Sequence, residues 1–211
     1  MIYGANVIRF RRLAVGILLG LLATCQLAFS QNYSAAQAID ATNGVASGSQ
    51  VIRTTDAGAN WTVQPTGTSY TYFGVSFPSA STGTIVGGQL GGTTPATLRT
   101  INSGSSWTAQ TTGATNLLQG VWFVDANTGW AVGRNGAIFK TVNGGSSWTA
   151  QTSGTIQTLY KVCFIDANTG VIVGSSGVIL RTTNGGTNWS AVASGTTAYL
   201  YGISFSSATV G

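Results

Sequence analysis

Residue types that commonly carry catalysis or bind metals are missing from this sequence. The chain has no histidine and no glutamate, and its acidic residues are Asp40, Asp56, Asp125 and Asp166. Within this chain, these absences exclude a histidine general base, a histidine-ligated metal, a Ser-His-Asp triad and a paired-glutamate glycosidase. We therefore expect no catalytic residues, no metal site and no cofactor.

Charge is also scarce, at 6% of the 211 residues, against about 25% in an average soluble domain. Proline is rare, with 3 residues, whereas glycine is abundant, with 30. Aromatic residues make up 10% of the chain and supply the apolar surface that disordered chains lack. This composition, rich in Gly, Ser, Thr, β-branched and aromatic residues, predicts an all-β fold with many tight turns.

The N-terminus has the pattern of a signal peptide. Three arginines precede an uncharged apolar run over residues 13–22: Arg9, Arg11 and Arg12. Small residues, Ala28 and Ser30, then occupy the positions that a signal peptidase reads. We expect residues 1–30 to direct export to a periplasmic, thylakoid-lumenal or extracellular compartment. The alternatives are an uncleaved membrane anchor and a lipoprotein attached through Cys25, for which Thr24 fits poorly.

Removal of the signal peptide, residues 1–30, changes what the net charge and the cysteine content imply about partners and disulfides. The formal net charge of +5 falls to +2, because six basic residues and four aspartates remain. A charge of this size gives no reason to expect a nucleic-acid partner. Cys163 is then the single cysteine, within the apolar stretch 160–165, and we interpret it as a small buried hydrophobic residue.

Internal repetition is the strongest pattern in the sequence. Residues 118–129 return 41 positions later as 159–170, and both copies end in Asp-Ala-Asn-Thr-Gly. Four tryptophans are spaced by 46, 41 and 41 residues: Trp61, Trp107, Trp148 and Trp189. Four phenylalanines repeat the same spacing: Phe77, Phe123, Phe164 and Phe205. The five extra residues fall in one longer turn at 87–95.

Each unit contains four short strand patterns separated by turn signals. In the unit at about 114–154 they cover 119–124, 130–133, 137–142 and 147–151. A period of 40 to 45 residues with four strands is typical of a β-propeller. The predicted units span about 36–66, 67–113, 114–154 and 155–195, and an incomplete fifth unit covers 196–211. We thus expect a partial β-propeller over 31–211, with about four blades plus one strand.

A recurring eight-residue string, which we call the box, joins the last two strands of each unit. It runs from a threonine through Asp or Asn and glycine to tryptophan. Its short polar side chain can accept backbone N–H groups, and its glycine can take positive φ. We expect the tryptophan to pack between neighbouring blades with its indole N–H bonded locally. The residues are Asp56, Gly58, Trp61; Asn102, Gly104, Trp107; Asn143, Gly145, Trp148; Asn184, Gly186 and Trp189.

The string resembles the Asp-box, or bacterial neuraminidase repeat. The whole unit is similar to that of the photosystem II stability and assembly factor family of cyanobacteria and chloroplasts and of its bacterial relatives. This resemblance covers about residues 36–211. It implies a seven-bladed propeller on the lumenal or periplasmic side of a membrane. It also implies a non-catalytic assembly role, in which a basic surface patch holds a reaction-centre subunit.

The chain departs from that family in two respects. Three of its four boxes carry Asn where the family often has Asp. The fifth unit stops after its first strand pattern, at 205–211, so we interpret the sequence as truncated from a larger ring.

Six cations are candidates for binding a protein partner. Four of them precede the box threonine and form the basic row: Arg53, Arg99, Lys140 and Arg181. Because they recur in every unit, an architectural role competes with a binding role. Arg134 and Lys161 are not repeated, which makes them better binding candidates.

The remaining polar and aromatic candidates have structural explanations. Asp40, Asp125 and Asp166 occupy equivalent first turns, so we expect them to form turns. Trp122 and Trp130 could stack on a sugar. Because Trp130 aligns with Val171, a core position is the favoured interpretation.

Three functions remain open. The first is a secreted or periplasmic binding or assembly module whose partner is a protein, including a segment of a membrane protein. The second is a sialidase-like or xyloglucanase-like Asp-box hydrolase whose catalytic residues lie outside this chain. The third is a cell-surface adhesin or structural repeat protein.

Overall fold

Four antiparallel sheets of four strands each make up the computed structural model, which describes residues 33–205. The first two blades contain β1 Tyr33–Ala38, β2 Gly44–Gly48, β3 Val51–Thr54 and β4 Thr62–Gln64, then β5 Thr71–Ser76, β6 Gly83–Gly88, β7 Pro95–Thr100 and β8 Thr108–Gln110. The next two contain β9 Leu118–Phe123, β10 Gly129–Gly133, β11 Ile138–Thr141 and β12 Thr149–Gln151, then β13 Leu159–Phe164, β14 Gly170–Gly174, β15 Ile179–Thr182 and β16 Ser190–Val192. The predicted all-β propeller fold is confirmed.

Consecutive strands pair as neighbours within each blade, and the first strands of successive blades contact one another. The first strands therefore lie innermost, and the short fourth strands, which are largely exposed, lie outermost. Second strands are buried along their whole length. This order produces two ends. The box end carries the turn between strands one and two and the box itself, and the loop end carries the remaining turns and the blade-to-blade connections.

Two boundaries differ from the sequence prediction. The first strand begins at Tyr33, before the predicted unit start near 36. Residues 196–205 contain no strand, although we expected one to open the fifth unit. The backbone of residues 196–205 makes few hydrogen bonds to the fourth blade, and one of them joins the Leu200 N–H to the Gly174 carbonyl at 3.0 Å. A strand needs a paired neighbour for its hydrogen bonds, and the residues that would pair with this segment are not among those described.

Apolar clusters join each blade to the next. One unites Val45 and Val51 with Phe77 and Ile85 of the second blade. Another unites Trp130 and Ile138 with residues of the fourth blade that include Phe164. The core is therefore a series of blade interfaces.

Among residues 33–205, no helix is long and apolar enough to cross a membrane. The predicted signal peptide at 1–30 lies outside the described residues.

A buried threonine hydroxyl organises every box. Thr141 Oγ1 accepts the Gly145 N–H at 2.8 Å and lies 3.0 Å from the Asn143 side-chain oxygen. That oxygen also accepts the Ser147 N–H at 2.9 Å. The other three boxes repeat these bonds. Gly145 has φ of 87°, in the left-handed region that glycine adopts without a Cβ penalty. The predicted role of the box as a tight turn agrees with this geometry.

The box tryptophans only partly follow our expectation. Trp107, Trp148 and Trp189 lie edge-on against the phenylalanine of their own blade, with ring centroids 5.9–6.1 Å apart. They sit at the margin of the clusters that join their blade to the preceding one. The packing is therefore within the blade as well as between blades.

The predicted local acceptor for the indole N–H is present in one box and missing in three. Trp189 donates to Gln151 Oε1 of the preceding blade at 3.3 Å. The indole N–H groups of Trp61, Trp107 and Trp148 are buried without an acceptor. At Trp148 the equivalent glutamine is Gln110, whose amide donates to the Gly144 carbonyl at 3.2 Å instead.

We expect Trp148→Ala to lower the free energy of unfolding by about 2–3 kcal/mol, because an edge-to-face contact and a large apolar ring are lost. For a protein of this size, the melting temperature should fall by about 5–10 °C. Calorimetry or circular dichroism measures this shift. Val142→Ala is the control, since Val142 lies in the same box and is 66% exposed. A shift below about 2 °C for Trp148→Ala would contradict the packing role.

Candidate functional site

Three of the four basic-row side chains join their blade to the next one. Arg53 Nε donates to the Ser103 carbonyl, and Lys140 Nζ to the Gly185 carbonyl, each at 2.8 Å. Arg99 Nη2 donates to the Ala126 carbonyl at the same distance. Each acceptor belongs to the box end of the following blade. The architectural interpretation of Arg53, Arg99 and Lys140 is therefore supported.

Aromatic rings reinforce two of these contacts. The Arg99 guanidinium carbon lies 5.6 Å from the Phe123 ring centroid, and Lys140 Nζ lies 5.2 Å from that of Trp130. A cation over an aromatic face gains electrostatic stabilisation from the ring. Arg181, the last member of the row, is exposed on the fourth blade. It offers a matched control because it occupies the same repeat position.

The aspartates are committed to turns. Asp125 Oδ1 accepts the N–H groups of Asn127 and Thr128, each at 2.7 Å. Asp166 makes the equivalent bonds at 2.7 Å, and Asp40 makes them at 2.8 Å. Burial works against ionisation of Asp125, but these backbone hydrogen bonds outweigh it and lower the pKa. The expected turn-forming role agrees with these bonds. Residues 33–205 contain no group of three or more potential metal ligands.

Asp56 is the one aspartate within a box. Its Oδ1 accepts the Asn60 N–H at 2.9 Å, and its Oδ2 accepts from the Asn60 side chain at 2.7 Å. These bonds, led by the backbone one, lower the pKa of Asp56 to about 2. In the other boxes an asparagine oxygen accepts the equivalent N–H.

The first strand of every blade contains a β-bulge near the loop end. In each case one residue near the start of the strand is left out of the pairing with the second strand: Ser34, Phe73, Gln119 and Tyr160. A bulge re-aims its extra side chain and is over-represented next to functional sites. Tyr201 follows Tyr160 by one 41-residue period. Unlike the box residues, the bulge residues differ from blade to blade, as expected of positions free to carry specificity.

Three tyrosines cluster at the loop end of the fourth blade. The Tyr160 and Tyr201 ring centroids lie 4.8 Å apart, and those of Tyr199 and Tyr201 lie 6.1 Å apart. Tyr199 and Tyr201 are 57% and 58% exposed. Burial raises the pKa of Tyr160, and its tyrosine neighbours act in the same direction, whereas Arg134 acts against them. Arg134 therefore lies within electrostatic range of the cluster. We call Arg134, Tyr160, Tyr199 and Tyr201 the tyrosine face.

Lys161 interrupts a pattern of glycines on the inner strands. Gly74 and Gly120 occupy its position in the preceding blades, where an added Cβ would lie 3.1 Å and 2.8 Å from the next inner strand. In the fourth blade a half-buried lysine stands there instead. Burial lowers the pKa of Lys161, with Cys163 acting in the opposite direction.

Charge is segregated between the two ends of the described chain. All four aspartates and the basic row lie at the box end. Arg134, in the β10–β11 turn, and Lys161, in the first half of β13, are the other cations. No acidic side chain of residues 33–205 accompanies them at the loop end. The predicted candidates Arg134 and Lys161 thus both lie at the loop end, and the four basic-row candidates lie at the box end.

An open cleft of about 670 Å³ lies beside Arg134 at the loop end of the third blade. It is formed by residues 135–139 and 150–156, with Ile156 exposed at its margin. No charged side chain lines it. The cleft adds apolar and backbone polar surface next to the tyrosine face.

Other predicted candidates are structural. Trp130 is fully buried and stacks on Phe164 of the fourth blade, with centroids 3.6 Å apart, so its expected core position is confirmed. Trp122 is half-buried against the same cluster. Cys163 is buried, as expected.

Sequence reasoning missed the three tyrosines. The signal that could have found Tyr160 and Tyr201 is variation at a fixed repeat position, because Phe73, Gln119, Tyr160 and Tyr201 align yet differ in chemistry.

We expect Arg99→Ala to lower the melting temperature by about 3–6 °C, because a blade-to-blade hydrogen bond and a cation–π contact are lost. Arg181→Ala, at the same repeat position but exposed, should change it by less than about 2 °C. Equal shifts for the two variants in a thermal melt would show that the row does not join the blades.

We expect Asp56→Asn to remove part of the acid sensitivity of the fold. The pKa of Asp56 is about 2 in the fold against about 3.9 unfolded. Its contribution to stability is therefore full above pH 4 and disappears as the pH falls to about 2. In thermal melts at pH 6, the wild-type protein should have a higher melting temperature than Asp56→Asn. This difference should decrease between pH 4 and pH 2. Asn143→Asp, the reciprocal change, should add pH dependence in the same window. A difference that stays constant over this range would refute the assignment.

The repeat and its fold match known proteins. Residues 99–199 match the family described as photosynthesis system II assembly factor YCF48. The structure of YCF48 bound to D1 peptide superposes with a TM-score of 0.53 at 14% identity, covering 76% of this chain and 81% of that chain. YCF48 from Cyanidioschyzon merolae superposes with a TM-score of 0.64 at 18% identity, covering 84% and 64%.

A glycoside hydrolase also shares the fold. The GH74 enzyme of Niastella koreensis has a TM-score of 0.62 at 19% identity, covering 76% of this chain and 30% of that enzyme. The chain therefore spans less than two thirds of the C. merolae protein and less than one third of the hydrolase. No curated protein matches the sequence significantly. Structural identities this low establish the fold alone. The family match over residues 99–199 and the four box-bearing blades together show that the chain is a β-propeller whose repeats are similar to those of the photosystem II assembly factor family.

Proposed function

We propose that this chain is a non-catalytic, exported binding module that holds an extended segment of a protein partner at its tyrosine face. One observation carries the proposal. The positions that vary between blades, and the two cations outside the basic row, converge at the loop end, whereas the repeated residues are used in turns and blade contacts. In a repeat protein, residues that are not needed for turns or for contacts between repeats can vary, and these residues carry its binding specificity.

The chemistry of the face suits recognition better than catalysis. Exposed tyrosines provide rigid, amphipathic contact area at a low cost in conformational entropy. Arg134 adds a donor fork that matches carboxylates and carbonyl oxygens. The YCF48 structure with a bound D1 peptide provides one example of a propeller of this fold with a peptide partner.

The predicted signal peptide at residues 1–30 is the feature that supports export. On that side of the membrane, the module would meet exposed segments of membrane proteins. Such a segment is the partner we propose, and a role in assembling the partner follows if binding protects the segment before it is buried.

A hydrolase function finds less support in the described residues. Retaining and inverting glycosidases both use a pair of carboxyl groups beside the bond to be cleaved. Here Asp40, Asp125 and Asp166 accept backbone hydrogen bonds in separate turns, and Asp56 does so in its box. All four lie at the end opposite the exposed tyrosines. The GH74 likeness therefore supports a shared scaffold without shared chemistry.

The proposal is tested by selecting a displayed library of random 12-residue peptides on the purified protein. We expect selected peptides to bind wild-type protein with micromolar affinity by fluorescence anisotropy, and Arg134→Ala to weaken binding about tenfold or more. Arg181→Ala is the matched control, because it removes an exposed arginine at the box end, and it should bind normally.

Two results would overturn the proposal. One is the absence of any peptide whose binding depends on Arg134. The other is hydrolysis of xyloglucan or of an aryl sialoside by the protein, measured as release of reducing sugar or of the aryl alcohol.

A further inference from the structure

Successive inner strands lie close together at one repeat position, and three of the residues at that position are glycines. A Cβ added at Gly74 would lie 3.1 Å from the Gly120 Cα, and one added at Gly120 would lie 3.1 Å from the Lys161 Cα. Gly202 follows Lys161 by one period. Lys161 therefore carries a long side chain at a position where the two preceding blades leave room for none. The side chain is half-buried as a result.

The Lys161 ammonium lies in this setting without an acidic partner. All four aspartates lie at the box end, and among residues 33–205 the neighbour that acts on its charge is Cys163. Cys163 lies two positions further along β13, on the same face of the strand. Burial lowers the pKa of Lys161, and the thiol opposes this only in part. A larger share of this amine is therefore neutral at neutral pH than for a hydrated lysine, and a neutral amine is a nucleophile.

The other lysine of the sequence provides a contrast within the same molecule. Lys140 Nζ donates to the Gly185 carbonyl at 2.8 Å and lies 5.2 Å from the centroid of the Trp130 ring. Both contacts use the charged ammonium and hold it in place. Lys161 makes no hydrogen bond of this kind to the residues that the structure describes. The two lysines thus differ in what their surroundings ask of the amine.

We infer that Lys161 is a site of covalent modification, at which the neutral amine captures a small aldehyde as a Schiff base. The nitrogen lone pair forms a bond to the carbonyl carbon, and the carbonyl oxygen leaves as water with the two amine hydrogens. The step needs no oxidant or reductant, and hydrolysis reverses it. The aldehyde must be small, because the inner strands beside Lys161 lie close together.

The experiment treats the purified protein with acetaldehyde and cyanoborohydride at pH 7. The reductant traps the Schiff base as an ethylated amine, and peptide mapping by mass spectrometry gives the rate at each amine. We expect Lys161 to react about tenfold faster than Lys140 at this pH. The difference should decrease as the pH approaches about 10.4, the ordinary pKa of lysine, because hydrated lysines then become neutral as well.

Variants separate the effect of burial from that of accessibility. Arg181→Lys is the matched control, since it places an exposed lysine on the same blade. That lysine should react about tenfold more slowly than Lys161 at pH 7 although it is more accessible. Cys163→Ala removes the thiol that favours the charged amine, so it should accelerate the reaction at Lys161 and leave Lys140 unchanged. Lys161→Arg should remove the fast-reacting site alone.

Three results would show that the inference is wrong. The first is a reaction at Lys161 no faster than at the lysine that Arg181→Lys introduces. The second is a rate difference that stays the same at every pH, because accessibility would then explain it. The third is a rate difference that persists in denaturant, because the effect would then come from the neighbouring sequence and not from the fold.

Discussion

A buried threonine hydroxyl is the point on which each blade of this protein depends. In the four boxes it accepts the N–H of the box glycine at 2.8–3.0 Å. This bond holds the turn in shape, and the turn places a tryptophan against the core. It also presents the backbone carbonyls that the arginine or lysine of the preceding blade reaches at Ser103 and Gly185. A local turn thereby sets the contact between blades. The hydroxyl is buried, so losing it would leave amide groups without partners at a cost of about 1–3 kcal/mol.

The hydrogen bonds of the box also separate the residues that hold the fold from the residues that are available to a partner. At the box end the threonine and the Asp or Asn of each box, together with Arg53, Arg99 and Lys140, have partners in their own blade or in the next one, which leaves few of these groups for a ligand. At the loop end, a bulge in each first strand frees one residue from the pairing, and that residue changes from Phe73 to Gln119 to Tyr160. Substitution there leaves the ladder and the blade interfaces intact, so specificity can change without loss of the fold.

The structural neighbours illustrate why fold and chemistry must be argued apart. The chain superposes on YCF48 proteins and on GH74 enzymes at similar TM-scores. What distinguishes a binding role here is the placement of charge: the carboxylates form turns at one end, and the exposed tyrosines and two cations occupy the other. This placement supports the non-catalytic proposal in a way that superposition does not.

Sequence alone determined the repeat, the four strands per blade and the turn chemistry of the box, because these follow from local rules of side-chain alternation and backbone conformation. It also favoured the architectural interpretation of the basic row and the core position of Trp130. It could not find the missing acceptors of Trp61, Trp107 and Trp148, nor the gathering of Tyr160, Tyr199 and Tyr201 beside Arg134. Those features depend on how successive blades meet. Arg134 and Tyr160, which lie in different blades, come within electrostatic range of each other only after the inner strands pack side by side, and tertiary structure alone decides that distance.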